Sequence, residues 1–418
     1  MKDVLERNPI QLNRVPLYEG PRPQPEERGP PVRLDDVGTP AAVIDHAAMM
    51  RNIARMQTRM DTLGVRLRPH VKTSKCIAVG ALQRDAGAPG ITVSTLKEAE
   101  AFFSAGFDDI LYAVGIAPQK LDRVLALRRA GCRLAVLVDS VAGADAVVAR
   151  GRAEAHAFDV VIEIDTDGHR AGVDPESTTL IDIGRRLADG GAGLQGVLAH
   201  AGSSYGLSTP EALAQIAEQE RRRTVRAAER LRAAGLPCPQ VSIGSTPTAL
   251  SAQNLEGVTE VRAGVYVFFD LVMANVGVCR PDEIALSVLT TVIGHQVEKG
   301  WAIVDAGWMA MSRDRGTQSQ AIDYGYGAVC DADGRLVDGW IMLGANQEHG
   351  ILGRRADGAE RAGEGEGEGD DDVARRFPIG TRLRILPNHA CATAAQFSAY
   401  QVVDAAGAIQ VWPRFNGW

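Results

Sequence analysis

Lys72 carries the clearest chemical potential in this chain, within Leu67-Arg-Pro-His-Val-Lys72-Thr-Ser-Lys75. A lysine that closes an apolar strand is partly desolvated. Burial disfavours the ammonium, and the neutral amine is a nucleophile able to form a Schiff base. The plainer reading is an ammonium that snorkels from a strand end. His389 and Cys391 form a second centre, within LPNHACATAAQF. In an extended segment both side chains point to one face. Imidazole with thiolate favours zinc or another borderline metal over Mg²⁺ or Ca²⁺. Two ligands leave positions for water or substrate, as a catalytic ion requires. A buried histidine beside a structural cysteine is the bland alternative.

Other segments supply binding groups. Gln240-Val-Ser-Ile-Gly244-Ser245-Thr246-Pro247-Thr248 runs from apolar into small and hydroxyl residues. Their N–H and O–H groups can hold a phosphate. Glu260-Val-Arg262-Ala-Gly264-Val-Tyr266 follows, and its glycine permits close backbone approach. Glu163-Ile-Asp165-Thr-Asp167-Gly168-His169-Arg170 and His200-Ala-Gly202-Ser-Ser-Tyr205 end two further apolar runs. Arg170 can tune a cofactor ring there, or the ends are simply charged and solvated. Gly191-Ala-Gly193-Leu-Gln-Gly196 matches the GxGxxG dinucleotide pattern. It precedes a strand instead of linking strand to helix, so it reads as a helix-to-strand loop. There is no Walker A, HExxH or GxSxG pattern.

The elements that position these residues follow from the pattern. Hydrophobic residues make up 45% and charged residues 23%, as in a globular protein. A net charge of −7 gives no general attraction to nucleic acid. No run approaches the roughly 20 apolar residues of a membrane helix. Residues 1–34 read as a polar, proline-rich arm. Six widely spaced cysteines indicate free thiols and a cytoplasmic setting. Over 35–278, candidate strands at 66–72, 91–96, 109–114, 133–140, 159–166, 194–202, 240–246 and 260–267 alternate with helical segments such as 96–105, 118–130 and 210–234. Eight strands suit an α/β (β/α)8 TIM-type barrel, with an open doubly wound sheet as the alternative. A barrel active site lies at the C-terminal strand ends, where Lys72, the segments ending in Arg170 and Tyr205, and the two small-residue turns after strands seven and eight fall. Residues 279–418 read as a mostly β domain. It has a hairpin in ALSVLTTVIGHQVEKGWAIVDAGW and strands at 336–343, 382–386, 399–403 and 408–412. Residues 355–372, acidic and glycine-rich, read as a flexible loop.

In order along residues 36–418, GTPAAVID, RPHVKTSK, HAGSSY, GSTPT, TEVRAGVYVFFD, VDAGWMAMSRD, NQEHG, LPNHACATA and WPRFNGW resemble the D-serine dehydratase/D-threonine aldolase family. Those are fold-type III pyridoxal phosphate enzymes, relatives of the bacterial alanine racemase barrel. The resemblance implies that Lys72 forms the Schiff base with pyridoxal 5'-phosphate. Gly244, Ser245, Thr246, Gly264 and Tyr266 then match the phosphate-holding turns. Arg170 matches an arginine near the cofactor ring, and Tyr205 a tyrosine approaching the pyridine nitrogen. His389 and Cys391 match a divalent metal pair, zinc first, with manganese or magnesium also open. Asp305, Ser312, Asp314, Glu348 and His349 are motif residues without an assigned role. Many relatives carry histidine where this chain has Ser74, so no second imidazole is assigned there.

The implied activity is that of a lyase on D-β-hydroxy amino acids. The His-x-Cys pair resembles the D-serine dehydratase branch, which gives a 2-oxo acid and ammonia. Retro-aldol cleavage to glycine and an aldehyde is the alternative. D-Serine is the first expected substrate, with D-threonine and 3-hydroxy-D-aspartate close behind. A homodimer is expected, and neither nucleic acid nor a membrane is an expected partner. A non-catalytic cofactor carrier would lack so long a β domain, and a racemase would leave the metal pair without a task.

Overall fold

The computed structural model describes residues 33–355 and 372–418. The arm at 1–32 and the acidic segment at 356–371 lie outside the described residues. Eight parallel strands form one sheet: Arg66–Leu67, Ile91–Val93, Asp109–Gly115, Arg133–Val138, Asp159–Ile164, Gly193–Ala199, Gln240–Ile243 and Glu260–Val261. Spatial neighbours are also sequence neighbours, and Arg66–Leu67 pairs with Glu260–Val261. A parallel bridge between His70 and Thr92 completes the ring. Val71 N–H donates to the Thr92 carbonyl at 3.0 Å, and Thr92 N–H to Pro69 at 2.8 Å. The barrel is therefore closed, as the strand count suggests, and the open sheet is excluded.

The strands are legible because both faces are covered. Five of the six residues of Asp159–Ile164 are buried, and such strands read as near-continuous apolar runs. Each Val, Leu or Ile so buried contributes about 1.5–3 kcal/mol. The first strand is short, and Pro69 has no N–H to extend its ladder. Lys72 consequently sits in a turn beyond the strand, not within it. Gly191 ends the helix Thr178–Gly190 in a left-handed conformation at φ 82°, and Gly193 opens the next strand. The GxGxxG match is indeed a helix-to-strand loop.

A polar layer lies inside the barrel. Glu260 is buried and accepts from Arg68 Nε at 2.9 Å, Gln240 Nε2 at 2.7 Å and Ser242 Oγ at 2.7 Å. Arg68 also reaches Asp109 Oδ1 at 2.8 Å. These bonds tie four strands together at a level below the strand ends.

The second sheet has nine strands. In spatial order they are Trp301–Val304, Gly350–Arg354, Leu336–Ala345, Gly327–Cys330, Arg382–Pro387, Leu286–Gln296, Ala41–Asp45, Ala399–Val403 and Ile409–Pro413. The expected hairpin forms, with Gly300 at φ 64° in its turn. Two short glycine-containing strands, Gly327–Cys330 and Gly350–Arg354, were not expected from the pattern. Nor was the placement of Ala41–Asp45, which belongs to this sheet although it precedes the barrel. It pairs antiparallel with Leu286–Gln296 and parallel with Ala399–Val403. Asp45 then caps the helix His46–Thr62 by accepting from Ala48 N–H at 2.8 Å. One apolar core runs through both units, joining Ile44, Leu286 and Tyr400 of the sheet to Ile243, Val261 and Phe268 of the barrel.

Glu260→Ala removes the common acceptor and leaves Arg68 buried beside fewer partners. The expected loss is roughly 3–5 kcal/mol of stability. Urea unfolding followed by circular dichroism measures it, and an unchanged midpoint contradicts the role given to this layer.

Candidate active site

A cavity of about 840 Å³ opens at the C-terminal ends of the barrel strands, between the barrel and the β domain. Its lining brings together Lys72, Gly244, Gly264, Arg170, His389 and Cys391. Residues separated by more than 300 positions in sequence thus share one wall of solvent.

The turn that bears Lys72 is held from several sides. Lys75 N–H donates to Val71 at 2.8 Å, and Lys75 Nζ lies 3.2 Å from buried Glu98. From the C-terminal segment, Tyr400 O–H donates to the Ser74 carbonyl at 2.6 Å and Phe415 N–H to Lys75 at 3.1 Å. The Lys72 side chain itself is exposed to the cavity. The desolvation expected from a strand-end position is therefore not supplied by the folded chain. Gly264 allows this packing, since a Cβ there would come within 3.0 Å of the His70 carbonyl and 3.2 Å of Thr73 Oγ1.

Around the small-residue turns, most groups are already committed. Gly244 is at φ 129°, and a Cβ would lie 2.3 Å from the Arg262 carbonyl. Its N–H donates to Glu220 Oε1 at 3.1 Å, which also accepts from Ala201 N–H at 2.8 Å. Glu220 is fully buried, and that burial raises its pKa. The Ser245 hydroxyl caps the helix Thr246–Ser251 through Thr248 N–H at 3.1 Å. Thr246 Oγ1 accepts from Tyr266 N–H at 3.2 Å. Among the described residues, no protein acceptor takes the N–H of Gly264 or Val265, and both line the cavity. These are the donors free for an anionic oxygen.

One expected residue stands elsewhere. Tyr266 is buried in the core and its hydroxyl accepts from Gln83 Nε2 at 2.9 Å, so the side chain cannot reach the cavity. The chain turns into a short 3-10 helix over Val265–Val267, and this carries the Tyr266 side chain away from the face that Gly264 presents. Tyr205 does line the cavity, and its hydroxyl lies against the Thr246 backbone N–H. Burial pushes that phenol up. Arg170 is at the cavity wall but mostly exposed, 3.5 Å from Glu163, whose pKa is raised by burial.

Three cavity groups carry no assignment from sequence. Arg262 is buried and donates to Ser242 Oγ at 3.2 Å and to the Ala199 carbonyl. Burial lowers its pKa to about 10. His70 is driven well below the ordinary histidine range by burial and then by Lys72, and its buried Nδ1 has no partner. His200 Nδ1 is 3.0 Å from the Gly244 carbonyl. A carbonyl only accepts, so Nδ1 carries the proton and Nε2 presents a lone pair. Burial lowers this ring to about 4. The period-two spacing of His70 before Lys72, and of Arg262 before Gly264, is the signal that could have placed the first two.

The second centre differs from its expected form. The strand ends at Pro387, and the alanine-rich run that follows makes a short helix, Ala390–Ala394, with His389 as its N-cap. His389 and Cys391 are therefore neighbours across a helix N-terminus, not along an extended segment. His389 Nδ1 lies 2.6 Å from Asp314 Oδ2. Cys391 Sγ lies 3.2 Å from Thr73 Oγ1. Buried Asp270 accepts from Ala390 N–H at 2.9 Å and from Met273 N–H at 3.0 Å. No group of three or more His, Cys, Asp or Glu side chains forms a closed metal cage among the described residues.

These residues fit both groups the resemblance implies. Asp314 occupies Nδ1–H and leaves His389 Nε2 free to ligate, the usual arrangement of a carboxylate behind a metal-binding histidine. One imidazole and one thiol make an open site for a borderline divalent ion. For the cofactor, an accessible amine and two free N–H donors face the same space.

The His200 ring should remain neutral between about pH 5 and 8. Its folded pKa lies below the unfolded value of about 6.5, so the unfolded chain binds this proton more readily. Its contribution to stability is complete above that value and is lost as pH falls toward about 4. Histidine NMR with a His200→Gln assignment control tests this, and titration of His200 near 6.5 contradicts it.

Comparison with known proteins agrees with this geometry. Residues 44–272 match the alanine racemase N-terminal domain and residues 285–403 the serine dehydratase domain. D-threo-3-hydroxyaspartate dehydratase of Delftia sp. (strain HT23) is 67% identical over 381 residues, 91% of this chain and 98% of that protein. D-serine dehydratase of Dictyostelium discoideum is 31% identical, covering 89% and 94% respectively. Solved structures of D-threo-3-hydroxyaspartate dehydratase superpose with TM-scores of 0.89 and 0.88 at 65% identity. Each covers 93% of this chain, and 97% and 100% of its own. One has a histidine replaced by alanine; the other has the cysteine two positions later replaced and is in the metal-free form. The chain belongs to the D-serine dehydratase family of pyridoxal phosphate-dependent lyases, built on the alanine racemase-like fold.

Proposed function

We propose that this protein is a metal-assisted dehydratase of D-β-hydroxy amino acids, with 3-hydroxy-D-aspartate as first substrate and D-serine second. The observation that carries the reading is the convergence of Lys72, the free Gly264 and Val265 N–H groups and the His389/Cys391 pair on one cavity. The order of substrates rests on the 67% identity to a D-threo-3-hydroxyaspartate dehydratase and reverses the preference read from sequence. The His and Cys altered in that relative's structures have the two-position spacing of His389 and Cys391, which supports the metal assignment.

Pyridoxal phosphate, when bound, supplies an electron sink for charge that develops at Cα, and a divalent ion supplies Lewis acidity toward the departing β-hydroxyl. The chain supplies the rest. Lys72 Nζ would hold the cofactor and, as a free amine facing the cavity, would take the Cα proton of the substrate. The Gly264 and Val265 N–H groups, with the Thr246 turn, hold the phosphate. Ser245 and Glu220 act from behind by fixing that turn. Arg170 and Arg262 add positive charge on the side where anionic groups must be held. His389 Nε2 and Cys391 Sγ hold the ion, oriented by Asp314. Loss of the Cα proton and the β-hydroxyl leaves an enamine, which hydrolyses to a 2-oxo acid and ammonia.

The expected homodimer is supported by Ile293, Val297 and Met309, large apolar side chains exposed on the β domain. Six unpaired cysteines support the cytoplasmic setting. Among the described residues, no helix is long and apolar enough to cross a membrane.

Incubation with 3-hydroxy-D-aspartate, D-serine and D-threonine, with separate assays for 2-oxo acid, ammonia, glycine and aldehyde, tests the reaction. The 2-oxo acid and ammonia should appear in equal amounts, fastest from 3-hydroxy-D-aspartate. Glycine with an aldehyde as main products would make the protein an aldolase. Chelation should abolish turnover, with recovery on adding back a divalent ion; full activity in excess chelator contradicts the metal role.

A further inference from the structure

Thr73 stands at an unusual junction. It directly follows Lys72, it is fully buried, and its hydroxyl lies 3.2 Å from Cys391 Sγ. It has little room to move. A Cβ on Gly264 would lie only 3.2 Å from the same oxygen, and the turn is closed by Lys75 N–H on Val71. On the other side, Cys391 is held by the Asp270 bond to Ala390 N–H and by its place in the first turn of the helix Ala390–Ala394. This one contact therefore joins the cofactor lysine's turn, in the barrel, to the thiol of the β domain.

A hydroxyl is donor and acceptor together, whereas a metal-bound thiolate only accepts. With an ion present, the Thr73 O–H must point at Cys391 Sγ. Hydrogen bonds to a ligating atom fix its direction and tune its donor strength. Because Thr73 is rigidly joined to Lys72, the setting of that turn and the strength of the ligand are adjusted together.

We propose that Thr73 is a positioning residue that couples ion occupancy at His389/Cys391 to the setting of the Lys72 turn. The proposal rests on the assignment of that pair as metal ligands. Coupling between two binding equilibria is reciprocal. The ion should alter the cofactor's environment, and the cofactor should alter ion affinity by the same factor.

The test uses full-length holoenzyme stripped of ion by chelation and dialysis, without substrate. Zn²⁺ is titrated against a chromophoric competitor while the cofactor's visible absorption and circular dichroism are recorded, for wild type, Thr73→Val and Thr73→Ser. Thr73→Val should weaken Zn²⁺ binding by about 10–100-fold and abolish the ion-dependent change in the cofactor bands. Thr73→Ser should restore both. Wild-type affinity and spectral response in Thr73→Val overturn the proposal, as does a serine variant no better than valine. Should the valine variant fail to fold, wild-type Zn²⁺ affinity is compared with and without cofactor. Equal values overturn the coupling, and different values support it. A wild type that binds no Zn²⁺ overturns the metal assignment as well, whereas intact binding without coupling overturns this proposal alone.

Discussion

Asp270 is the fastening on which the site depends. One carboxylate oxygen accepts from Met273 N–H and caps the helix Leu271–Val276 at the end of the barrel. The other accepts from Ala390 N–H and fixes the turn between His389 and Cys391. Both N–H groups belong to helix starts that have no partner within their own helices. The carboxylate is fully buried, and burial raises its pKa to about 6. A single side chain thus sets where the sheet's functional turn meets the barrel mouth.

With that junction in place, the two units divide the chemistry. The barrel contributes an amine and the two free backbone donors of Gly264 and Val265, positioned by strand ends that are anchored below by the Glu260 layer. The sheet contributes an imidazole and a thiol. Three cations at the meeting point stand against three carboxylates, Glu163, Asp270 and Asp314, of which burial biases Glu163 and Asp270 toward the neutral form. Lys72, Arg170 and Arg262 face the cavity, while His70 and His200 are kept uncharged by burial. Neutral imidazoles add hydrogen-bonding capacity without further repulsion among the cations. Such a site suits a phosphorylated cofactor and a substrate with one or two carboxylates.

Much of this was legible in sequence where the cause was local. The barrel strands stand out because most are covered on both faces, and the segments that end several of them carry candidate residues. Legibility failed where partners are distant. Ala41–Asp45 has the apolar pattern of any strand, but its partners at 286–289 and 401–403 are far along the chain. The two-residue spacing of His389 and Cys391 suits an extended segment as well as the helical turn at 390–394, and residue type alone does not separate them. The resemblance groups Tyr266 with Gly264, although its side chain turns into the core. Thr73, Asp270 and Glu220 act only through contacts made on folding, so residue type alone gave no reason to select them.

The most direct measurement is borohydride reduction of the purified, yellow holoenzyme followed by peptide mapping. A single pyridoxyl adduct should be found on Lys72, and Lys72→Ala should yield none. Attachment at Lys75, which the structure pairs with buried Glu98, or the absence of any adduct would contradict the account.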